Sequence, residues 1–295
     1  MRYAYYPGCV SRGGCPELYA ATAAVAGKLG LDLEELKEAA CTGAGVLQEW
    51  NPELGDTLNV RTFAMAEKRG LNTVLVICST CQGVMSGANY RVQQDPQYRE
   101  KINHNLAAEG LDYRGTVEVK HLLWVLVEDV GLDRVRKLVT HPLTGLRVAP
   151  FYGCYIVRPS ENLGYKDHPH REHALEDVVA ALGAEVVDYS GKRKCCGFPI
   201  LTMNPRNSVN MVGTHTLDAK GQGADCMVTP CPLCHLNLDG FQPAAQRQKK
   251  TAIGLPVLHL PQLVGLAMGI EPRALGLQKH IVSTKPVTKK LALVT

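Results

Sequence analysis

The cysteines of this chain form a single pattern that occurs twice. In the first half, the stretches YYPGC, ACTG and VICSTC contain four of them: Cys9, Cys41, Cys78 and Cys81. In the second half, the corresponding stretches PFYGC, CCG and VTPCPLC contain five: Cys154, Cys195, Cys196, Cys231 and Cys234. From the glycine of the middle stretch to the next cysteine, 34 residues intervene in the first half and 33 in the second. This self-similarity predicts two copies of one structural unit.

The duplication also sets the domain boundaries. The segment THPLTGLR, at residues 140–147, supplies the proline and glycine of a connection between the copies. We therefore predict an N-terminal lobe over residues 1–143 and a C-terminal lobe over residues 144–275. Residues 276–295 contain several lysines and little periodicity, which predicts a basic tail that is a loose end or a docking arm.

Each half alternates between apolar strand patterns and amphipathic helix patterns. We predict strands at residues 2–6, 73–78, 146–152, 184–189 and 225–231, and helices at 17–30, 59–70, 171–184 and 207–223. Short, continuous apolar strands are typical of buried parallel sheets. The predicted fold is therefore α/β, with two duplicated βαβ-type lobes that contain parallel sheets and are related by pseudo-two-fold symmetry. The first cysteine and the CxxC pair of each half lie at strand ends, where such folds bind ligands, so these thiols should converge.

Composition excludes several classes of function. A net charge of +4 without a basic block gives no reason to expect nucleic acid binding. The N-terminus has no signal-peptide pattern and no apolar run is long enough for a membrane span, so we expect a cytoplasmic protein. In a reducing compartment, eleven cysteines indicate metal or redox chemistry rather than disulfides. No GxGxxG or P-loop is present, so any flavin or nicotinamide belongs to a partner chain.

The five thiols of the second half favour a polynuclear iron centre. A structural zinc site takes four ligands, and a zinc ribbon places its two CxxC pairs roughly 15–20 residues apart. A thioredoxin-like CxxC would leave the adjacent pair Cys195 and Cys196 unexplained. Neighbouring side chains point in different directions and can bind two irons of one cluster, which thiolates hold as a rule. Gly197 would then allow a positive φ or a close backbone approach.

The arrangement C-x40-CCG-x33-C-x2-C resembles the cysteine-rich CCG domain, and its duplication resembles the B subunit of heterodisulfide reductase. Similar subunits occur in unusual succinate dehydrogenases and in sulfur-oxidising heterodisulfide-reductase-like complexes. The resemblance covers residues 1–270. It implies a noncubane [4Fe–4S] cluster in each intact repeat, held here by Cys154, Cys195, Cys196, Cys231 and Cys234.

The first repeat departs from this pattern because Thr42 stands where the second cysteine of CCG is expected. Four thiols remain: Cys9, Cys41, Cys78 and Cys81. A hydroxyl is a poor ligand for iron in a sulfide cluster. We favour a second, cubane [4Fe–4S] cluster here; the alternatives are a noncubane cluster with an open iron or with Cys15 as substitute, a smaller cluster, or none.

The resemblance implies an iron–sulfur subunit of a multi-subunit oxidoreductase. Its partners would be flavoprotein or ferredoxin-type iron–sulfur subunits, and its substrate a small disulfide, thiol or quinone. A quinone substrate would place the protein at the periphery of the inner face of the membrane. The alternatives from other classes are a metal-binding scaffold that holds zinc or iron, and a metal-free dithiol oxidoreductase.

Four further residues receive separate predictions. Arg158 follows Cys154 closely and would steer an anionic substrate or partner towards the cluster. Cys226, at the start of the last predicted strand, is expected to be a buried structural thiol. His121 and His259 occupy matching places, in VKHLL and VLHLP, and are expected to serve the architecture through hydrogen bonds to loop backbone.

Overall fold

The computed structural model describes residues 1–293, which contain two four-stranded sheets with the same topology. All neighbouring strands within them are parallel. The first sheet has the order β2-β1-β3-β4 and the second the order β6-β5-β7-β8. The strands are β1 (Arg2–Tyr6), β2 (Asp32–Glu35), β3 (Thr73–Val76), β4 (Glu118–His121), β5 (Arg147–Pro150), β6 (Glu185–Val186), β7 (Cys226–Thr229) and β8 (Val257–His259).

Helices connect the strands, as parallel pairing requires. The α-helices of the N-terminal lobe are α1 (Cys9–Gly13), α2 (Pro16–Leu29), α3 (Val46–Trp50), α4 (Pro52–Lys68), α5 (Ser79–Gln94), α6 (Pro96–Leu106), α7 (Leu122–Trp124) and α8 (Leu132–Leu138). A π-helical stretch, Val125–Gly131, lies between the last two. The C-terminal half contains α9 (Ala174–Ala181), α10 (Pro205–Gly221), α11 (Pro232–Gly240), α12 (Gln242–Lys249), α13 (Leu260–Ala267) and α14 (Lys285–Lys290).

The predicted fold class is confirmed, and the structure corrects its details. The sequence patterns predict two strands of the N-terminal sheet and three of the C-terminal sheet. They miss β2 and β4 in the first and β8 in the second, because such short strands do not stand out beside the neighbouring helices. Cys226 therefore begins the third strand of its sheet and not the last. The helix predicted at 171–184 is shorter, because Pro169–Glu172 forms a 3₁₀ turn before α9 begins.

The two lobes share their apolar cores. One core contains Leu18 and Leu29 from α2 together with Val178 from α9 and Leu263 from α13, all of them buried. Every residue of α13 is buried, which agrees with its almost entirely apolar sequence. Burial of apolar surface across the boundary is the main force that holds the lobes together.

The C-terminal segment is packed on the protein, contrary to the prediction of a loose tail. Val287 and Thr288 are buried in α14, and the Lys290 ammonium lies 2.6 Å from the Asp225 carboxylate. The Asp239 carboxylate accepts hydrogen bonds from the backbone N–H groups of Ile281 and Val282, at 2.7 and 3.1 Å. The lysines of this segment are thus the exposed side of an ordered element; the final residues 294 and 295 lie outside the described part of the chain.

A buried ion pair also joins the lobes. Glu128, in the π-helical stretch, accepts hydrogen bonds from Nε and Nη2 of Arg171 at 2.6 and 3.0 Å, and the Lys120 ammonium lies 3.2 Å away. Burial by itself would raise the pKa of Glu128, but the Arg171 guanidinium outweighs it and, with His170 and Lys120, holds that pKa down at about 2.

We expect Glu128→Gln to lower the free energy of unfolding at pH 7 by ~3 kcal/mol, because it leaves buried cations without a partner. A carboxylate with a depressed folded-state pKa stabilises the fold fully above its unfolded-state pKa of about 4.3. That contribution is lost as the pH falls towards about 2, the folded-state pKa. The difference between wild type and variant in urea unfolding should therefore shrink over this range. Glu109→Gln, which removes an exposed partner of Arg61, is the control and should have little effect.

Candidate metal centre

The shared direction of the strands brings the cysteine motifs to one edge of each sheet. Cys9 and Cys154 follow the ends of β1 and β5, the two sheet-central strands nearest the start of each lobe. Cys78 and Cys231 are the N-cap residues of α5 and α11, directly after β3 and β7. Carboxyl ends of neighbouring parallel strands meet at the same edge, so the sequence-distant motifs converge as predicted.

In the C-terminal lobe the five thiols lie close enough for each to shift the pKa of the next in an unbroken series. Hydrogen bonds from Cys154 and then Cys196 lower the pKa of Cys195 to about 2. Cys196 also contacts Cys234, and a hydrogen bond with Cys234 is the largest cause that lowers the pKa of Cys231. Each of these two sulfurs therefore has thiol neighbours that favour its ionised form. Bound metal replaces such shared protons, because thiolates are the metal-binding form.

In the N-terminal lobe four thiols are grouped around the ring of Tyr6. The Sγ atoms of Cys9 and Cys41 lie 3.6 Å apart, and the hydrogen bond between them lowers the pKa of Cys41 to about 5. Thr42 is buried beside this pair, with its hydroxyl hydrogen-bonded to Cys41, and its carbonyl oxygen accepts a hydrogen bond from Asn59 at 3.0 Å. The threonine therefore fills the position of the missing cysteine without supplying a soft ligand.

The two groups of thiols meet at the lobe boundary. A hydrogen bond between Cys78 and Cys231 raises the pKa of Cys78 and lowers that of Cys231. The Thr80 hydroxyl lies 3.6 Å from the Cys231 sulfur. His121 of the first lobe bonds through Nε2 to the carbonyl oxygen of Pro230, at 2.9 Å. The two CxxC loops therefore form one interface.

The predicted architectural role of His121 is confirmed by this bond to loop backbone, whereas its counterpart behaves differently. His259 Nε2 lies 3.4 Å from a carboxylate oxygen of Glu17 and makes no such bond to a cysteine loop in the described residues. Its ring instead takes part in the capping box at the start of α13, which is also an architectural role.

The CCG loop depends on its glycine. Gly197 has a φ of +94°, and a Cβ there would lie 3.1 Å from the backbone of Ser208 in α10. The N–H of Gly197 points to the Cys195 sulfur at 3.4 Å, and the N–H of Phe198 points to the Cys196 sulfur at 3.5 Å. The positive φ expected from the sequence is confirmed, and it aims two backbone donors at the adjacent sulfurs.

Two residues that hold this loop are not predicted by the sequence. His215 Nε2 lies 2.9 Å from the carbonyl oxygen of Cys195, and Asn237 Nδ2 donates to the carbonyl oxygen of Cys196 at 2.7 Å. They lie in α10 and α11, and no local motif marks them. They have this role because the packing of their helices turns these polar side chains towards the CCG loop.

The remaining predicted residues lie outside the sulfur chain. Cys226 is fully buried in β7, which agrees with a structural thiol. Cys15 is buried beside Glu17 of its own helix and His259 of the C-terminal lobe, so it lies at the lobe boundary rather than as a substitute thiol near Thr42. Arg158 is exposed, and its guanidinium donates to the carbonyl oxygen of Arg193 at 2.8 Å.

Across the described residues, helices that combine the length and the apolar character needed to cross a membrane are absent.

Comparison with known proteins decides the relationship. The model of the cysteine-rich CCG domain matches twice, over residues 3–86 and 148–239, and these ranges hold all nine cysteines of the repeated pattern. The chain belongs to the CCG cysteine-rich family. Both halves match the same model, which confirms the duplication that the sequence predicts.

Relatives along nearly the whole chain are oxidoreductase subunits. The 8-methylmenaquinol:fumarate reductase membrane anchor subunit of Wolinella succinogenes is 38% identical over 95% of this chain and 96% of its own length. The B subunit of a ferredoxin/F420H2-dependent CoB-CoM heterodisulfide reductase of Methanosarcina acetivorans is 32% identical over 94% of this chain and 92% of its own. The resemblance to the heterodisulfide reductase component is therefore confirmed, and this CCG protein is an oxidoreductase subunit of the iron–sulfur type.

A solved structure shares the fold. A hypothetical protein from Helicobacter pylori superposes with a TM-score of 0.75 at 15% identity, over 96% of this chain. This chain covers only 52% of that longer one.

The glycine before the first cysteine of the C-terminal lobe offers a test of the site. Gly153 has a φ of +76°, and a Cβ there would lie 2.8 Å from the Cys234 sulfur. Gly153→Ala should therefore displace the loop and reduce the iron bound by anaerobically prepared protein to about half. Gly13→Ala, at a position where an added Cβ meets nothing within 4 Å, should retain full iron. Equal iron in both variants would contradict the placement of Gly153 at the metal centre.

Proposed function

We propose that the C-terminal lobe holds a noncubane [4Fe–4S] cluster through Cys154, Cys195, Cys196, Cys231 and Cys234. The observation that carries this proposal is the convergence of these five residues at the carboxyl edge of the second sheet, where each thiol influences the pKa of the next. Five soft donors in mutual contact exceed the four of a zinc site and suit a body that offers several metal atoms. The backbone donors at Gly197 and Phe198 would stabilise the negative charge on the ligand sulfurs.

The N-terminal lobe would hold a cubane [4Fe–4S] cluster through Cys9, Cys41, Cys78 and Cys81. Four thiols satisfy the four irons of a cubane, and Thr42 lacks the soft donor that a fifth position requires. The contact between Cys78 and Cys231 supports close electronic communication between the lobes, because each of these residues belongs to a different ligand set.

The protein would work in a complex with flavoprotein or ferredoxin-type iron–sulfur partners and exchange electrons with a quinone. When bound, the clusters supply one-electron transfer; the chain supplies the ligands, their spacing and the surface that meets the partner and the substrate. The relative at 38% identity is named for a quinol, which supports the quinone over a disulfide. The relatives named for the CoB-CoM heterodisulfide keep disulfide or thiol chemistry as the second candidate.

An exposed apolar surface supports a site at the membrane periphery. Val46 and Trp50 of α3 are 74% and 85% exposed, and Leu54, at the start of α4, is 44% exposed. These residues follow the CTG loop directly, so the surface adjoins the N-terminal thiols. Exposed apolar groups of this size mark an interaction surface, and we infer that this one rests on the membrane that contains the quinone.

The cofactor assignment predicts about eight irons per chain after anaerobic purification, from two [4Fe–4S] clusters. Electron paramagnetic resonance and Mössbauer spectra should contain two different cluster signatures. Cys196→Ala should remove the noncubane signature, whereas the matched control Cys226→Ala should keep it.

Thr42→Cys should change the N-terminal signature towards that of the C-terminal cluster, because it restores the fifth thiol.

A colourless protein with one zinc and no iron would support the scaffold alternative. A metal-free protein with reactive thiols would support the dithiol alternative.

The choice of substrate is tested with reduced protein. Menaquinone-containing vesicles should oxidise the dithionite-reduced chain faster than a small alkyl disulfide does. Trp50→Glu should slow oxidation by the vesicles about tenfold, because it removes a large apolar anchor from the membrane-facing surface. The same variant should be oxidised by a water-soluble naphthoquinone at the wild-type rate. Tyr90→Glu, which changes another exposed residue with a large apolar side chain, is the control. Rapid oxidation by the disulfide alone would overturn the quinone assignment.

A further inference from the structure

A second group of metal-binding side chains lies beside the thiols. His235, Asp239 and His280 each have one possible metal-ligand atom, and these three atoms lie within 4.8 Å of one another. The ring of His259 packs against that of His235, with the ring centroids 3.9 Å apart. His235, Asp239 and His259 are at most 3% exposed. None of these residues belongs to the five-cysteine set.

The duplicated lobe shows what these positions hold when only packing is required. The counterparts of His235 and Asp239, at the same distance from the CxxC motif, are Gln82 and Ser86. Gln82 Nε2 donates to the Ser86 hydroxyl at 2.7 Å and to the carbonyl oxygen of Val119 at 2.8 Å. A neutral amide and hydroxyl therefore complete this corner of the fold. The C-terminal lobe replaces both with metal-ligating side chains.

The imidazoles are left with unused nitrogens. Nδ1 of His235 and Nδ1 of His280 are buried without a hydrogen-bond partner among the described residues, whereas the His259 ring accepts from the backbone N–H of Gln262 in a capping box. Leaving a buried polar nitrogen unpaired is unfavourable. Two such atoms in one cluster indicate that a species beyond the chain accepts their lone pairs.

The other atoms of these residues are held as the outer contacts of metal ligands usually are. His280 Nε2 lies 3.1 Å from the Gln262 side-chain oxygen, which leaves Nδ1 free for a ligand role. His235 bonds to the backbone of Val257, the counterpart of Val119. The backbone N–H groups of Ile281 and Val282 fix the Asp239 carboxylate while leaving each of its oxygens a second lone pair.

The charges of the buried carboxylates also indicate a bound cation. The cluster contains two buried carboxylates, Asp239 and Glu17, and the salt-bridge partners of Glu17 in the described residues are limited to the imidazole of His259 at 3.4 Å. Asp239 has no cationic partner there. Buried anions are normally paired with a cation or coordinate a metal.

We propose that His235, Asp239 and His280 bind a structural Zn²⁺ ion, separate from the iron centres. Two imidazoles and a carboxylate are a zinc donor set, and a fourth position remains for water. Donor atoms at the corners of a zinc tetrahedron are roughly 3.4 Å apart for bonds of about 2.1 Å, so modest side-chain rotation closes the site. The ion clamps the C-terminal segment, through His280, onto the helix that begins at Cys231. This inference stands independently of the proposed function.

The test uses the full chain, produced without oxygen in medium with zinc sulfate and dialysed against a weak chelator. Wild type should retain about one zinc per chain, and its Zn K-edge absorption spectrum should contain a nitrogen and oxygen shell at about 2.0–2.1 Å with imidazole scattering. His280→Ala should lower bound zinc at least about tenfold with iron unchanged. His104→Ala, an exposed histidine outside the cluster, should retain the zinc.

The double variant His235→Gln with Asp239→Ser installs the pair that the N-terminal lobe already carries, so it should fold, keep its iron and lose zinc. Absence of zinc from wild type would overturn the site. So would a sulfur shell at about 2.3 Å, which would place zinc on cysteines, or zinc retained by both variants. Loss of iron in wild type would contradict the proposed function and leave the zinc result to be read separately from the spectrum.

Discussion

The arrangement of this protein depends on the convergence of cysteine thiols at the carboxyl edges of two parallel sheets. Cys154 and Cys195, on loops that are 41 residues apart, interact through their sulfurs, and the interaction between Cys78 and Cys231 continues the series across the lobe boundary. Burial drives thiols towards the neutral form, yet Cys195 and Cys231 have lowered pKa values because neighbouring thiols donate to them. Bound metal ions stabilise such a group of thiolates. Because the folded sheets bring the thiols together, metal binding and folding stabilise each other.

Duplication followed by divergence explains the differences between the lobes. Both sheets have the same strand order, and both CxxC motifs begin a helix at the same point. Against this shared frame, Thr42 stands opposite Cys196, and Gln82 and Ser86 stand opposite His235 and Asp239. At each of these positions the C-terminal lobe has a side chain of a metal-binding type where the N-terminal lobe has a hydroxyl or an amide. The lobe with more ligands is then the more specialised one, and the other supplies contacts such as the His121 bond to Pro230.

The sequence predicts the fold class and the convergence of the cysteines because repeats and strand-end positions are local patterns. It does not predict β2, β4 and β8, since strands of three or four residues beside a helix have no separate periodicity. The packing of residues 276–293 is also out of its reach, because Val287 is buried by tertiary contacts that its lysine-rich surroundings do not indicate. His215, Asn237 and the His235 cluster follow from helix faces that only the assembled lobes define.

The central claim is that five thiolates of the C-terminal lobe hold one multi-iron body. A crystal structure of the anaerobically prepared chain, with anomalous scattering recorded on both sides of the iron edge, tests it most directly. The account predicts four iron positions in contact with the sulfurs of Cys154, Cys195, Cys196, Cys231 and Cys234, with the adjacent pair bound to different irons. A single metal atom there, or sulfurs that share no common metal body, would contradict it.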